Sequence, residues 1–288
     1  MKPLTISKRL TPGTCLLLFC LALPGPAACA AHLASKPGVF EVENKEAKLA
    51  AFTLPLTCVK PAHPRSPVYM VLYATGDAGW YGAAGAMFTH MAEQGFYVAA
   101  FDSREAVKAS KRSGHLTEIP DAAAAVDSII VQARRALDLP ETTPVIVTGF
   151  SRGANLVVFT GGVKSLQHHV AGAVALALTR ETDYLQAPDP AVRPAAIQVD
   201  EKGRIQTYPA IDLFGSIPIA VIQSKGDSYV PAEEARRLFG PDNATRRLYE
   251  VNAKNHGFSG GTDEMLHDLD ESLAWIEGLG QTGGGVVK

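Results

Sequence analysis

The chain has 288 residues, 47% of them hydrophobic and 19% charged, with a formal charge of −2. That length and apolar content fit one large or two small globular domains with an ample core, and nothing in the pattern argues for a second domain. A balance this near neutrality excludes a nucleic-acid binder held by charge, and losing residues 1–30 would leave 24 bases against 29 acids, a net of −5.

The chain opens with Lys2, Lys8 and Arg9, an apolar run from Cys15 to Leu23, and the small residues Ala28, Cys29 and Ala30. This is the pattern of a secretory signal peptide, with cleavage expected after Ala30 and a periplasmic or secreted product. Lipidation at Cys29 is the rival reading, which Pro26, Ala27 and Ala28 disfavour because no aliphatic residue precedes the cysteine at the usual place. The run is too short to span a bilayer, and no later stretch reaches the roughly 18 to 20 apolar residues that a spanning helix needs. Cys15, Cys20 and Cys29 all lie in the leader, so Cys58 alone would remain and no internal disulfide is expected.

Residues 31–66 read as a linker followed by an edge hairpin, with strands over 38–42 and 49–56 and a proline-rich stretch to Pro67. The pattern then alternates. A buried strand over 68–74 leads into the turn Thr75-Gly-Asp-Ala-Gly-Trp80, a helix over 82–94 stops at Gly95, and a strand spans 97–101. Residues 102–118 are polar and show no clear periodicity. Pro120 suits the first turn of a helix whose apolar positions 122, 123, 126, 129, 130, 133 and 137 follow a 3.6-residue period. A strand over 144–150, a helix after Ser151 and a strand over 170–178 come next.

Residues 179–216 interrupt the alternation with many prolines and a hairpin about Asp200 to Gly203, an insertion expected to lie over the site. Strands over 217–224 and 246–251, with helices over 231–239 and 262–277, complete a domain spanning 67–279. Residues 280–288 read as a flexible tail. Strands alternating with helices over so long a stretch imply an α/β class with a mostly parallel, doubly wound sheet flanked by helices.

The chemistry centres on Gly149-Phe-Ser-Arg-Gly153, a G-x-S-x-G placed between an apolar strand and a helix, the arrangement of a nucleophile elbow in the α/β-hydrolase fold. Serine is a weak nucleophile, so Ser151 calls for a histidine base, and that base for a carboxylate to fix its tautomer. His256, in the loop between the last strand and the last helix, fits the base. Asp227, directly after a strand, fits the acid, with Asp183 as its rival. The oxyanion hole is expected from the backbone N–H groups of Arg152, just after the nucleophile, and Asp77, in the turn after an earlier strand. Trp80, Asp102 and Arg104 lie at the same sheet edge and are expected in the substrate pocket, surface charge being the alternative for the last two. No metal and no cofactor are expected: His168 and His169 are adjacent rather than at ligand spacing, no H-E-x-x-H occurs, and Cys58 stands alone.

Taken together, Thr75-Gly-Asp-Ala-Gly-Trp80, Phe101-Asp-Ser103, Gly149-Phe-Ser-Arg-Gly-Ala154 and Asn255-His-Gly-Phe258 resemble the VirJ/AcvB family of exported bacterial serine hydrolases, over roughly residues 67–278. The resemblance implies a Ser-Asp-His triad carried by Ser151, Asp227 and His256, and a lipid ester substrate, the AcvB type being associated with lysyl-phosphatidylglycerol in the periplasm. Two positions depart from the family elbow: Arg152 stands where Phe is usual, and Asn155 where Asp is usual. The expected partner is a small-molecule or lipid ester, with peripheral contact at a membrane surface and no nucleic acid. Another esterase, lipase or peptidase substrate on the same triad, and a catalytically silent binding or secretion-accessory protein, are the competing readings.

Overall fold

The computed structural model describes residues 33–114 and 118–283, so the leader, its cleavage point, Cys29 and the last five residues lie outside it. Ten strands form in chain order: β1 Phe40–Lys48, β2 Thr53–Pro61, β3 Met70–Ala74, β4 Tyr97–Phe101, β5 Val145–Phe150, β6 Val170–Leu176, β7 Glu181–Thr182, β8 Ile205–Gln206, β9 Ile219–Ser224 and β10 Arg246–Val251. The helices are α1 Ala83–Glu93, α2 Ser103–Arg112, α3 Ile119–Ala136, α4 Arg152–Gly161, α5 Thr207–Ala210, α6 Ala232–Phe239 and α7 Thr262–Gly283. Among the described residues, no helix is long and apolar enough to cross a membrane.

Eight strands make one sheet in the order β1-β2-β4-β3-β5-β6-β9-β10. From β4 to β10 every pairing is parallel, and the antiparallel β1–β2 hairpin extends the edge beside β4. The central strands are apolar along their whole length because each face of the sheet is covered. In β3, Met70, Leu72 and Ala74 join the core shared with α3 and α4, while Val71 and Tyr73 join the core shared with α1 and α7. Such a sheet leaves its loops as the places where polar chemistry can gather.

Register decides which loops meet. Ala74 pairs with Phe101 on one side and Gly149 on the other, and Gly149 pairs with Ala175, so β3, β4, β5 and β6 end at one level. The residues that follow those ends emerge at one carboxyl edge, the edge where open parallel sheets build their sites.

Three local expectations are revised. The hairpin turns at Leu49–Phe52, where the sequence suggested a strand, because Leu49 and Phe52 lean on the core and lend the turn an apolar signature. Helix α2 occupies part of the polar stretch read as aperiodic. Asp102 caps it, its Oδ1 accepting from the backbone N–H groups of Arg104 and Glu105 at 2.9 and 3.3 Å. Helix α7 continues beyond Glu277 to Gly283.

Candidate active site

The strand-to-helix turn at Ser151 is tight. Ser151 adopts φ 53° and ψ −115°, a conformation costly for any residue with a side chain, and its N–H is held by the Leu176 carbonyl at 2.8 Å. Gly153 explains how α4 can lie so close to the sheet: a Cβ there would stand 2.0 Å from the Ala74 carbonyl oxygen. One strand over, a Cβ on Gly76 would meet Ser151 Cβ at 3.0 Å, so the turn after β3 rests against the serine because it has no side chain at that point.

Two loops complete a hydrogen-bonded chain. Ser151 Oγ lies 2.8 Å from His256 Nε2, and His256 Nδ1 lies 2.7 Å from Asp227 Oδ2. A buried carboxylate is costly unless its lone pairs are occupied. Asp227, 1% exposed, is well supplied: Oδ2 also accepts from Gln223 Nε2 at 2.9 Å, and Oδ1 from the Tyr229 N–H at 2.7 Å. Gln223 had not been singled out in the sequence. Its presence as the polar residue in the otherwise apolar run Ile219-Ala-Val-Ile-Gln223 was the available signal, and its Oε1 in turn accepts from the Leu178 N–H at 3.0 Å. The Tyr229 ring meets the His256 ring edge-on at 4.7 Å. An aspartate that accepts from Nδ1–H leaves Nε2 unprotonated and facing the hydroxyl, so the arrangement can draw the serine proton.

Beside Ser151 opens a cleft of about 300 Å³ lined by Asp77, Arg152, Arg180, Glu181, Asp183 and Arg204 among others. Most of these charges are already matched. Arg152 Nε donates to Asp77 Oδ1, Arg180 pairs with Glu234, and Arg204 bonds Glu181 at 2.5 Å and Asp200 at 2.7 Å. Burial opposes the Arg152 charge, but the hydrogen bond and charge of Asp77 outweigh it and raise the guanidinium pKa. Asp183, by contrast, has no hydrogen bond or ion pair among the described residues and is exposed on the cleft wall.

Arg152 and Asn155 hold the same neighbouring segment. Tyr184 lays its ring 4.7 Å from the Arg152 guanidinium carbon and donates its hydroxyl to the Arg152 carbonyl at 2.6 Å. Asn155 Nδ2 donates to Thr179 Oγ1 at 2.6 Å and to the Glu181 carbonyl at 3.3 Å.

The other expected site residues divide. Arg152 begins α4, so its N–H has no acceptor within the helix, and Asp77 follows the glycine that touches Ser151. Asp183 reaches the cleft but makes no bond to His256; Asp227 does. Trp80, Asp102 and Arg104 are not among the residues lining the cleft. Trp80 packs edge-on against Tyr73 and Phe88, because its large apolar ring finds the core over α1 instead. Asp102 is committed to capping α2, and Arg104 bonds back to it at 3.3 Å.

Elsewhere, the fold brings ligand atoms of Asp127, His168 and His169 within 4.8 Å of one another, closer than adjacent histidines suggested. Both His169 nitrogens are nevertheless engaged, Nδ1 by Arg134 at 2.9 Å and Nε2 by Asp127 at 3.1 Å. A cation there would meet the Arg134 guanidinium. Cys58 is buried, and desolvation pushes its thiol up to about 11, so it offers no ready thiolate.

No family model matches the chain, and no curated protein matches it in sequence. Solved structures do resemble it. A Klebsiella pneumoniae protein assigned as a dienelactone hydrolase shares 15% identity, with 83% of this chain and 98% of that one covered and a TM-score of 0.56. An esterase from the Planctomycetes species Thermogutta terrifontis, determined with butyrate bound, shares 18% over 83% and 95% of the two chains at a TM-score of 0.54. A Xanthomonas campestris α/β serine hydrolase described as lacking a lid shares 14% over 81% and 94%, with a TM-score of 0.52. These likenesses establish that the chain has the α/β-hydrolase fold.

Proposed function

We propose that the protein is an exported serine hydrolase that cleaves a carboxylic ester through an acyl-enzyme. The observation that carries the proposal is the unbroken chain from Ser151 Oγ through His256 to a buried, multiply bonded Asp227, with the serine raised on a strained turn. In this reading Ser151 Oγ attacks the ester carbonyl as His256 Nε2 takes its proton, and Asp227 holds the resulting imidazolium. The N–H groups of Arg152 and Asp77 receive the oxyanion. Collapse of the tetrahedral adduct expels the alcohol, which takes the proton from His256, and water then repeats the sequence to release the acid. A fluorophosphonate probe should label wild-type protein at Ser151, located by peptide mass spectrometry, and absence of labelling would refute the nucleophile.

The substrate proposed within this class is the aminoacyl ester of lysyl-phosphatidylglycerol, on the strength of the VirJ/AcvB-type motifs. A ligand with a cationic and an anionic end suits a cleft whose walls carry Arg152, Arg180 and Arg204 alongside Asp77, Glu181 and Asp183. Lysine release from that lipid by purified protein is the test; neutral esters turned over without lysine release would remove this substrate and leave the hydrolase. The proposed location is periplasmic or secreted. A mature N-terminus at Ala31 supports it, and residues 1–30 found intact, or a diacylglycerol on Cys29, would revise it.

A further inference from the structure

We infer that an apolar trough between α2 and α3 forms the second half of the substrate site and takes an unbranched hydrocarbon chain of the ester. The inference rests on the ester-hydrolase reading. The trough encloses about 140 Å³, and its walls include Leu54, Phe101, Val107, Val126, Ile129 and Leu156. It adjoins the cleft that holds Ser151, and Asp183 and Tyr184 line both. Leu156 stands five residues after Ser151 on the helix that begins beside it, which at 1.5 Å per residue is about 7.5 Å along the axis.

Chemistry changes abruptly across that shared wall. On the cleft side are arginines and acids; on the trough side most of the lining is aliphatic or aromatic, with Ser103, Ser110, Lys111 and Gln186 as its polar members besides Asp183. A peptide laid in the trough would leave its backbone N–H and C=O groups facing hydrocarbon, a penalty that an alkyl chain does not incur. Asp183, which makes no hydrogen bond or ion pair among the described residues, lies at the junction, and the ligand that matches both halves is an amphiphile whose polar end lies at Ser151 and whose chain runs between the helices.

The test compares long and short esters with the chain on either side of the scissile bond. The acyl arm uses p-nitrophenyl decanoate against p-nitrophenyl acetate, and the alcohol arm uses decyl acetate against ethyl acetate. In at least one arm kcat/KM for the long ester should exceed that for the short by about tenfold or more, corresponding to about 1.4 kcal/mol. Ala106→Phe on α2 and Ala125→Phe on α3, both in the trough lining, should each reduce that ratio by about tenfold, with melting temperatures reporting whether the fold is kept. Equal rates for long and short esters in both arms, or a preference that neither variant alters, overturns the inference and turns attention to a peptide or the chain's own leader as occupant. Binding of cis-parinaric acid, read by its fluorescence, separates the two readings. Binding that both variants weaken, by protein that cleaves no ester, removes the hydrolase and leaves the trough. Turnover without such binding and without a chain-length preference does the reverse.

Discussion

Asp77 and Arg152, whose backbone N–H groups are the expected oxyanion donors, are also joined side chain to side chain across the mouth of the cleft. The guanidinium nearest the nucleophile is therefore partly neutralised before substrate arrives. Asp77→Asn should free it and lower KM for an anionic ester such as a p-nitrophenyl hemisuccinate. Arg152→Ala should raise that KM, and more than it raises KM for p-nitrophenyl acetate. Parallel shifts for charged and neutral esters would show that the pair serves structure alone. Its contribution to stability should be small, about 0.5 kcal/mol, since Asp77 is 61% exposed in its side chain.

The conformation of Ser151 permits a test of strain. Ser151→Ala and Ser151→Gly should each lower kcat by about a thousandfold or more, because the covalent route is lost. Only glycine relieves the positive φ, and even after the entropy it loses on folding it should be more stable than the alanine variant by about 1 kcal/mol, measured by chemical denaturation. Equal stabilities would mean that the turn is not strained.

Asp227→Asn should cost about a hundredfold or more in kcat, since an amide oriented by the Tyr229 N–H and Gln223 cannot both accept from His256 and stabilise its positive form. Asp183→Asn should change kcat far less, because no bond joins it to the histidine. Steady-state kinetics on one neutral ester ranks the two, and the opposite ranking would reassign the acid.

Gly153→Ala should cost about 3 kcal/mol and lower the yield of folded protein, because the added carbon overlaps the Ala74 carbonyl at the carboxyl end of β3. A melting temperature within a few degrees of wild type would contradict the close approach of α4.

Stability should also fall in mild acid. The His169 pKa is lowered by burial first and then by the Arg134 and His168 charges, with Asp127 opposing. The unfolded chain therefore binds the proton more readily, and this contribution, intact above a pH of about 6.5, is lost as pH falls below it. His169→Gln can accept from Arg134 and donate to Asp127, and so should flatten the loss. His90 works with the opposite sign: its hydrogen bond to Asp270 raises the pKa, so its contribution is full below about 6.5 and lost as pH rises through the raised value. His90→Asn should accordingly steepen the acid decline, as read from melting temperatures across pH.

The central strands were legible because burial on both faces writes a continuous apolar run, and two members of the candidate triad, Ser151 and Asp227, follow such strands, whereas His256 follows the half-exposed edge strand β10 and was suggested by its loop position alone. Helix α2 was not, since it buries only Ser103, Ala109 and Ser110 and has almost no apolar stripe. Asp102 followed three residues later by Glu105 is a capping signature that would have located it. The Asp77–Arg152 pair joins residues 75 positions apart, and nothing local in either segment announces it. The Trp80 ring packs against Tyr73 and Phe88, and proximity in sequence to the cleft says nothing about which side of the turn such a ring takes.

The double tether from Arg152 and Asn155 to residues 179–184 makes the elbow and the adjoining wall a single mechanical unit. Replacing that wall with one from another hydrolase, while keeping this helix, would strand the Asn155 amide and remove the ring stacked on Arg152. Asn155→Asp alone would set a carboxylate against the Glu181 carbonyl that now accepts a hydrogen bond. A change of this wall should therefore be made with positions 152, 155 and 179–184 exchanged together, and a chimera that moves all of them should fold where piecemeal grafts do not.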